Sequence, residues 1–344
     1  MGWRFQKRIK LLPGVTMNLG KTGGSFSFGP RGAKVTVGKD GIRKTFGIPG
    51  TGLSYTTYDR YDQSAPGGSR GGRSAAAPQN TLDVGFFSGL FLSGDEKKFI
   101  DGVKALLAGD AASAVNLLSQ LPGNPDANFI LAVIRLNAQQ YPQCKDALNN
   151  VSANIQNLGF YFKKYNLALD MSFPITDVFA VDLSPCPLAV DLLRAEVLQH
   201  TSEIASACNL LLEWHKKDST NLLVKISLAE LVLSAAPTDV RWLKTLIAMT
   251  DHVENDSPIH TVLLYYRGLV FKNLKLFDVA QEVFSAIARK KKDRDSELMI
   301  AIQEERARVY ELQGQNAAAR KIWEKIYAED SSNAEAARKI NLLK

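Results

Sequence analysis

Small and large apolar side chains recur through the last three quarters of this 344-residue chain at a spacing typical of repeated helix pairs. Gly268, Phe271, Phe277, Ala280 and Phe284 each lie 39 positions before Ala307, Tyr310, Asn316, Ala319 and Trp323, in that order. The same unit appears earlier as Gly102, Ala105, Gly109, Ala114 and Leu118, and again from Ala132 through Cys144 to Leu148. Repeats of this kind stack into arrays that usually hold other molecules.

Helix-breaking residues divide this region into pairs. The pattern predicts a helix from about Asp95, a break at Gly109-Asp110, and a second helix that ends at Pro122-Gly123. Further pairs are predicted at 187–216, 220–252, 259–291 and 295–329, with a terminal helix from Asn333. The interval from Met171 to Pro187 fits no repeat. We therefore expect about six helix pairs in residues 95–344.

The two pairs at 259–291 and 295–329 resemble the tetratricopeptide repeat, the 99–151 pair resembles it less closely, and the pairs in 187–252 are degenerate. The resemblance implies that a protein or peptide segment binds in a groove along the inner face of the first helix of each pair. The groove candidates that follow from it are Tyr265, Leu269, Lys272, Asn273, Glu304, Arg308 and Glu311.

Residues 1–58 follow a different period. Residues 25–28 and 34–37 alternate apolar and polar side chains, as half-buried strands do, and glycine-rich turns follow them. Asp40-Gly41 suits a tight hairpin turn. We expect a meander of four or five strands with Phe26, Phe28, Val35 and Val37 in its core. The predicted fold class is therefore α+β and multidomain: a small N-terminal β-meander module, then an all-α solenoid of tetratricopeptide-like repeats.

The same segment, 1–58, also resembles a bacterial domain of unknown function. The resemblance rests on the opening Met1-Gly2-Trp3-Arg4-Phe5, on Asn18-Leu19-Gly20-Lys21-Thr22-Gly23, and on the closing stretch from Gly47 to Tyr55. It implies a small glycine-punctuated β module at the front of a larger protein, and it carries no activity with it.

Two short segments connect the two predicted domains. Residues 59–80 are mostly Gly, Ser, Ala and Pro, which indicates a flexible linker. Residues 81–94 contain the apolar run from Val84 to Leu92, which is too short to cross a bilayer. We interpret this run as a segment that covers the open edge of the first repeat.

The net charge of +7 is concentrated at the front of the chain. Residues 1–60 contain eleven Lys and Arg against two Asp, a formal charge of +9, which leaves −2 for the rest of the chain. The candidates for contact with an anionic partner are Arg4, Lys7, Arg8, Lys10, Lys21, Arg31, Lys34, Lys39, Arg43 and Lys44. This basic module could bind nucleic acid, an anionic membrane surface or a protein, could associate with itself, or could serve solubility alone.

No pattern of residues indicates catalysis, a metal site or a cofactor. Gly20-Lys21-Thr22 lacks the glycine spacing of a phosphate-binding loop, and the four histidines have no ligand partners at metal-binding spacing. The three cysteines are unpaired in spacing, as in a cytoplasmic protein. We predict a non-enzymatic adaptor or scaffold that binds a protein or peptide through its groove. The alternatives are nucleic-acid binding and peripheral membrane association through the basic module.

Overall fold

The structure is a computed structural model that describes residues 92–107, 110–165, 184–292, 294 and 296–343. It also gives the backbone of eight strand segments. These are Arg8–Leu12, Val15–Gly20, Gly23–Phe28, Ala33–Gly38, Gly41–Gly47, Ser54–Arg60, Asp170–Pro174 and Ala180–Leu183.

The predicted α+β class is wrong for the part of the chain whose side chains are described. Within residues 92–165 and 184–343, every regular element that the structure describes is a helix, so this part is all-α and tetratricopeptide-like. No side chain before Leu92 is described. The expected meander core, the linker at 59–80 and all but the last three residues of the predicted capping segment thus lie outside the described side chains.

The chain divides into two compact units. The N-terminal unit comprises Phe5–Phe173 and Asp182–Leu193. Its helices are α1 (Gly94–Leu107), α2 (Ala111–Ser119), α3 (Pro125–Asn137), α4 (Tyr141–Ala153) and α5 (Phe160–Lys164), with a 3-10 turn at Ile155–Asn157.

The C-terminal unit comprises Met1–Arg4, Pro174–Val181 and Arg194–Lys344. The division falls within α6 (Pro187–His200). The helices that follow are α7 (Ile204–Lys217), α8 (Leu222–Ala235), α9 (Val240–Met249), α10 (Pro258–Asn273), α11 (Phe277–Ala288), α12 (Ser296–Leu312), α13 (Asn316–Glu329) and α14 (Ala334–Leu342). These bounds confirm the helix pairs predicted from the sequence.

Polar residues just before the helices determine where several of them begin. The first backbone N–H groups of a helix have no partner within it, so a side-chain oxygen ahead of them is stabilising. Asp110 accepts the N–H of Ser113 at 2.9 Å at the start of α2, and Asn124 accepts the N–H of Ala127 at 3.0 Å at the start of α3. Asn333 does the same for α14, at 2.9 Å from the N–H of Ala336. At the predicted break, Asp110 is thus the cap of α2.

Left-handed residues follow the first helices of the two pairs that match best. Lys275 has φ of 60° and Gly314 has φ of 73°, and the two positions keep the spacing that relates Gly268 to Ala307. A left-handed residue turns the chain sharply after a helix. The repeat therefore extends from the helices to the geometry of their connection.

A small residue on the first helix packs under a large residue of the second helix, 16 positions later. A Cβ atom placed on Gly268 would lie 2.5 Å from Cε1 of Phe284, and one on Gly102 would lie 2.8 Å from Cδ2 of Leu118. Ala132 and Leu148 have the same spacing, as do Ala307 and Trp323, and all four of these residues are fully buried. The pairing brings the two helices of each repeat close together.

We expect Gly268→Ala to destabilise the protein by about 1–3 kcal/mol, because the added methyl group overlaps the buried ring of Phe284. The measurement is the free energy of unfolding from denaturant titration. Gly123→Ala is the control, since a Cβ atom there meets nothing within 4 Å and the residue is not left-handed. Equal stability of the two variants would show that the Gly268 contact is not tight.

Candidate binding face

The candidate site is the surface formed in the C-terminal unit by the first helices α8, α10 and α12, the end of α6 and helix α14. We call it the first-helix face. The side-chain amide of Gln199 lies 3.4 Å from Oγ of Ser234, which joins α6 to α8. The Asn273 amide donates to the carbonyl oxygen of Pro237 at 3.1 Å, which joins the end of α10 to the α8–α9 connection. Further contacts join α10 to α12 and α12 to α14, so the helices form one face.

Little of this face is open to solvent on α8 and α10. Helix α8 buries seven of its fourteen residues and α10 buries eight of its sixteen, on several sides of each helix. Such helices expose only a narrow strip, which other parts of the repeat flank. Any charged side chain on that strip is partly removed from water, and an unpaired charge there is costly.

A network of ion pairs joins α10, α12 and α14. Lys272 of α10 pairs with Glu305 of α12, and Arg308 pairs with the other oxygen of the same carboxylate. Arg308 also lies 3.1 Å from Glu304 and 3.0 Å from Glu335 of α14. The network thus connects three first-helix elements through one guanidinium group and one shared carboxylate.

Neighbouring donors complete the network. Asn333 donates to the second oxygen of Glu304 at 2.9 Å. Glu311 accepts the indole N–H of Trp323 at 2.7 Å through one oxygen and pairs with Lys339 through the other. Both oxygens of Glu304, Glu305, Glu311 and Glu335 therefore have partners within the unit.

Arg308 is at the centre of this network. Partial burial opposes its charged form, but the charge and hydrogen bond of Glu305 and the charges of Glu335 and Glu304 outweigh that cost and raise its pKa. Its guanidinium also lies 5.8 Å from the centre of the Trp323 ring. Arg308 thus connects the ion pairs to the buried residue that forms the core of the last pair.

The structure gives most of the predicted groove residues internal partners. Tyr265 is buried, and its ring packs 6.0 Å from that of Phe284. Lys272, Glu304, Arg308 and Glu311 belong to the ion-pair network, Asn273 holds the α8–α9 connection, and Leu269 is half-buried. The ten predicted basic residues of the front module lie outside the described side chains.

Glu230 of α8 is the exception on this face. Its half-buried carboxylate makes no hydrogen bond or ion pair with any residue whose side chain is described. Glu196 of α6 is its charged neighbour and itself lies 3.8 Å from His200. Burial, and then repulsion from Glu196, raise the pKa of Glu230 to about 7.

Tyr266 of α10 lies close enough to Glu230 for the charge of that carboxylate to act on its hydroxyl. It is only 7% exposed, and its hydroxyl has no hydrogen-bond partner among the described residues. Burial and the nearby charge of Glu230 raise the pKa of Tyr266 well above its ordinary value. The strip across α6, α8 and α10 therefore contains two polar groups to which the described part of the chain gives no partner.

A separate cleft of about 660 Å³ lies in the N-terminal unit between the start of α1, the α2–α3 connection and residues 157–161. The buried carboxylate of Asp126 forms part of its wall. It accepts N–H groups from Gly159 at 2.5 Å, Tyr161 at 2.6 Å and Phe162 at 3.3 Å. Burial raises the pKa of Asp126, although the three N–H donors act to lower it. The carboxylate thus holds the segment around α5 in place.

Two of the three cysteines lie within the packed helices. Cys144 and Cys208 are buried on second helices, as their apolar neighbours predicted, and burial raises the pKa of the Cys208 thiol to about 11. In the described ranges, no group of three His, Cys, Asp or Glu side chains could hold a metal ion. No helix there combines the length and apolar character that a bilayer crossing requires.

Sequence reasoning missed both Glu230 and Asp126. Glu230 interrupts the apolar run Leu228-Ala229-Glu230-Leu231-Val232-Leu233, and a carboxylate in such a run is a signal that could have been recognised. Asp126 follows Pro125 at the start of α3, where an acidic residue is ordinary. Its contacts with residues 33–36 positions away left no local signal.

Comparison with known proteins gives one family match and several distant structures. The family described as "Protein of unknown function (DUF4236)" matches residues 3–56, which agrees with the resemblance noted for residues 1–58. None of the curated proteins that were compared matches the chain.

Two of the similar solved structures align with most of this chain. A tetratricopeptide repeat protein from Parabacteroides merdae is 15% identical, with 73% of this chain and 85% of that chain covered and a TM-score of 0.45. The N-terminal domain of EccA1 ATPase from the ESX-1 secretion system of Mycobacterium tuberculosis is 16% identical, with 72% and 88% covered and a TM-score of 0.45. These scores are too low to assign a fold, which rests instead on the helix pairs and their packing.

We expect Arg308→Gln to lower the free energy of unfolding by about 2 kcal/mol, because it removes the cation shared by Glu304, Glu305 and Glu335. This value is below that for a fully buried pair, since the Arg308 side chain is 30% exposed. Arg338→Gln is the control: it is 62% exposed, lies 3.8 Å from Glu335, and should change stability by less than about 0.5 kcal/mol. Denaturant unfolding measures both, and equal effects would contradict a central role for Arg308.

The raised pKa of Glu230 predicts a loss of stability as pH rises. The folded state binds the proton of the Glu230 carboxyl group more tightly than the unfolded state does. Ionisation of Glu230 therefore lowers the free energy of unfolding: the loss is absent below the ordinary pKa of 4.5, grows above it, and is complete above about pH 7. Glu230→Gln should therefore be more stable than wild type at pH 8, by on the order of 3 kcal/mol, and differ little at pH 4.

Thermal and denaturant unfolding between pH 4 and pH 8 measure this difference. Glu282→Gln removes the same charge from an exposed position on α11, so its curve should run parallel to that of wild type. A Glu230→Gln curve that also runs parallel would contradict the pKa shift.

Proposed function

We propose that this protein is a non-enzymatic scaffold that binds a protein or peptide partner along the first-helix face. The supporting observation is the series of contacts along successive repeats. Gln199–Ser234 joins α6 to α8, Asn273–Pro237 joins α10 to the α8–α9 connection, and Lys272–Glu305 joins α10 to α12. These contacts align the exposed strips of successive helices. A continuous face of this kind suits an extended segment of a partner, which can meet several repeats at once.

The packing of the face supports a rigid surface for binding. The ion pairs around Arg308 hold α10, α12 and α14 together, and their carboxylate oxygens are already occupied. A partner that binds a surface already in place loses less free energy to ordering than one that must assemble it. On the narrow strip that solvent reaches, the half-buried Leu269 is available for apolar contact and the half-buried Glu230 for polar contact.

Nucleic-acid binding and attachment to a membrane surface are the competing functions. Both rest on the charge of +9 carried by residues 1–60, and in both the helical repeats would recruit a further component. A cytoplasmic setting fits the three free cysteines. We propose no cofactor or metal for the helical repeats.

The test compares two matched substitutions in the full-length protein. We expect Leu269→Glu, on the first-helix face, to reduce recovery of a defined partner by at least about tenfold, because it places a charge within the contact. Val279→Glu is the control on the second helix α11, where the exposed side chain is away from this face. Affinity purification with quantitative mass spectrometry, after nuclease treatment, measures the recovery.

Thermal unfolding first establishes that both variants are folded. Recovery of the same partners by both variants would contradict binding at the first-helix face. Loss of all partners on nuclease treatment would favour the nucleic-acid function instead.

A further inference from the structure

Glu230 is distinguished from the other carboxylates of the first-helix face by its lack of a partner. Glu304, Glu305 and Glu311 each have donors at both oxygens, and Glu335 pairs with Arg308. Glu230 has none among the described residues, although it is half-buried on α8. A carboxylate that is partly removed from water without a compensating donor is unfavourable, so this position is complementary to a group that the described residues do not supply.

The surroundings of Glu230 indicate the charge of that group. Glu196 lies on the neighbouring helix α6, and its negative charge repels that of Glu230. Tyr266 of α10 is a further neighbour: it is more than nine-tenths buried, and its hydroxyl has no partner among the described residues. A cation would relieve the repulsion between the two carboxylates, while the tyrosine hydroxyl could accept a further N–H donor.

Glu196 and Glu230 occupy equivalent positions on their helices. Each directly follows a buried alanine, Ala195 and Ala229, in the way that Leu269 follows Gly268 and Arg308 follows Ala307. The acidic pair therefore lies on the same strip as the residues used in the proposed function. The strip changes from acidic on α6 and α8 to apolar on α10.

We propose that the first-helix face binds a segment of a partner protein that places a lysine or arginine side chain against Glu230, beside Glu196 and Tyr266. This inference rests on the proposed function and adds the chemistry of the partner to it. The apolar position at Leu269 receives the neighbouring part of the same segment. A basic side chain forms charge-assisted hydrogen bonds with the carboxylate, and these are stronger than neutral ones when water is partly excluded.

The experiment uses the full-length protein and a phage-displayed library of random short peptides. Peptides selected on the wild-type protein are synthesised, and their affinities are measured by fluorescence anisotropy. We expect the selected sequences to share a lysine or arginine. Replacement of that residue by glutamine should weaken binding by at least about tenfold, as should Glu230→Gln in the protein.

A double-mutant cycle assigns the contact. If the peptide cation meets Glu230, the two substitutions together should weaken binding little more than either one alone. Glu282→Gln is the matched control, since it removes an exposed carboxylate from α11 and leaves the strip intact. Tyr266→Phe removes only the hydroxyl, and we expect a smaller loss of affinity from it.

Each result separates this inference from the proposed function. Peptides that bind in a Leu269-dependent manner, but without a shared cation or coupling to Glu230, would overturn the inference and leave the scaffold function standing. Failure to select any peptide would count against both. A wild-type dimer that Glu230→Gln abolishes would place the cation on a second copy of the chain and overturn the assignment to a partner protein.

Discussion

The close approach of a small residue and a large one, 16 positions apart, is the constraint on which the helical repeats depend. In the pair formed by α10 and α11, Gly268 leaves room for the ring of Phe284, and the backbones can approach only because no Cβ atom intervenes. The last pair uses Ala307 and Trp323 for the same purpose, and both join the core that reaches Ala336 of α14. The contact between the two helices thus also sets how the next helix packs.

The tight packing explains why polar groups on the first helices are almost all paired. Since α8 and α10 are covered on several sides, a charge on their narrow exposed strip has lost part of its hydration. The network around Arg308 compensates for that loss with ion pairs between helices. Glu230 experiences the same loss without compensation from the described residues. Stability alone would favour an uncharged residue there, which is why its presence bears on binding.

The sequence was sufficient to predict the helices but not the environment of their side chains. The repeat period predicted α10 to α13 closely, because the pattern is local and each helix carries its own apolar stripe. The partners of Lys272 and Glu311 are 33 and 28 positions away, on helices whose rotation about their own axes no local pattern specifies. Tyr265 was predicted to face the groove and is buried against Phe284 for the same reason. The α+β class was wrong for the part of the chain whose side chains are described. Its β component was assigned from the period-two pattern of residues 1–58, which lie outside that part.

Asp126 and Glu230 show how the supply of donors separates a structural carboxylate from one that is available to a ligand. Burial raises the pKa of both. Asp126 receives three backbone N–H groups from one short segment, so its negative charge holds Gly159 to Phe162 in place. Glu230 faces another carboxylate and a tyrosine that itself lacks a partner among the described residues. No rearrangement of a single side chain among these groups could supply a positive charge, because neither Glu196 nor Tyr266 carries one. These three side chains therefore contain no compensating cation, and the proposed contact with a basic partner rests on that property.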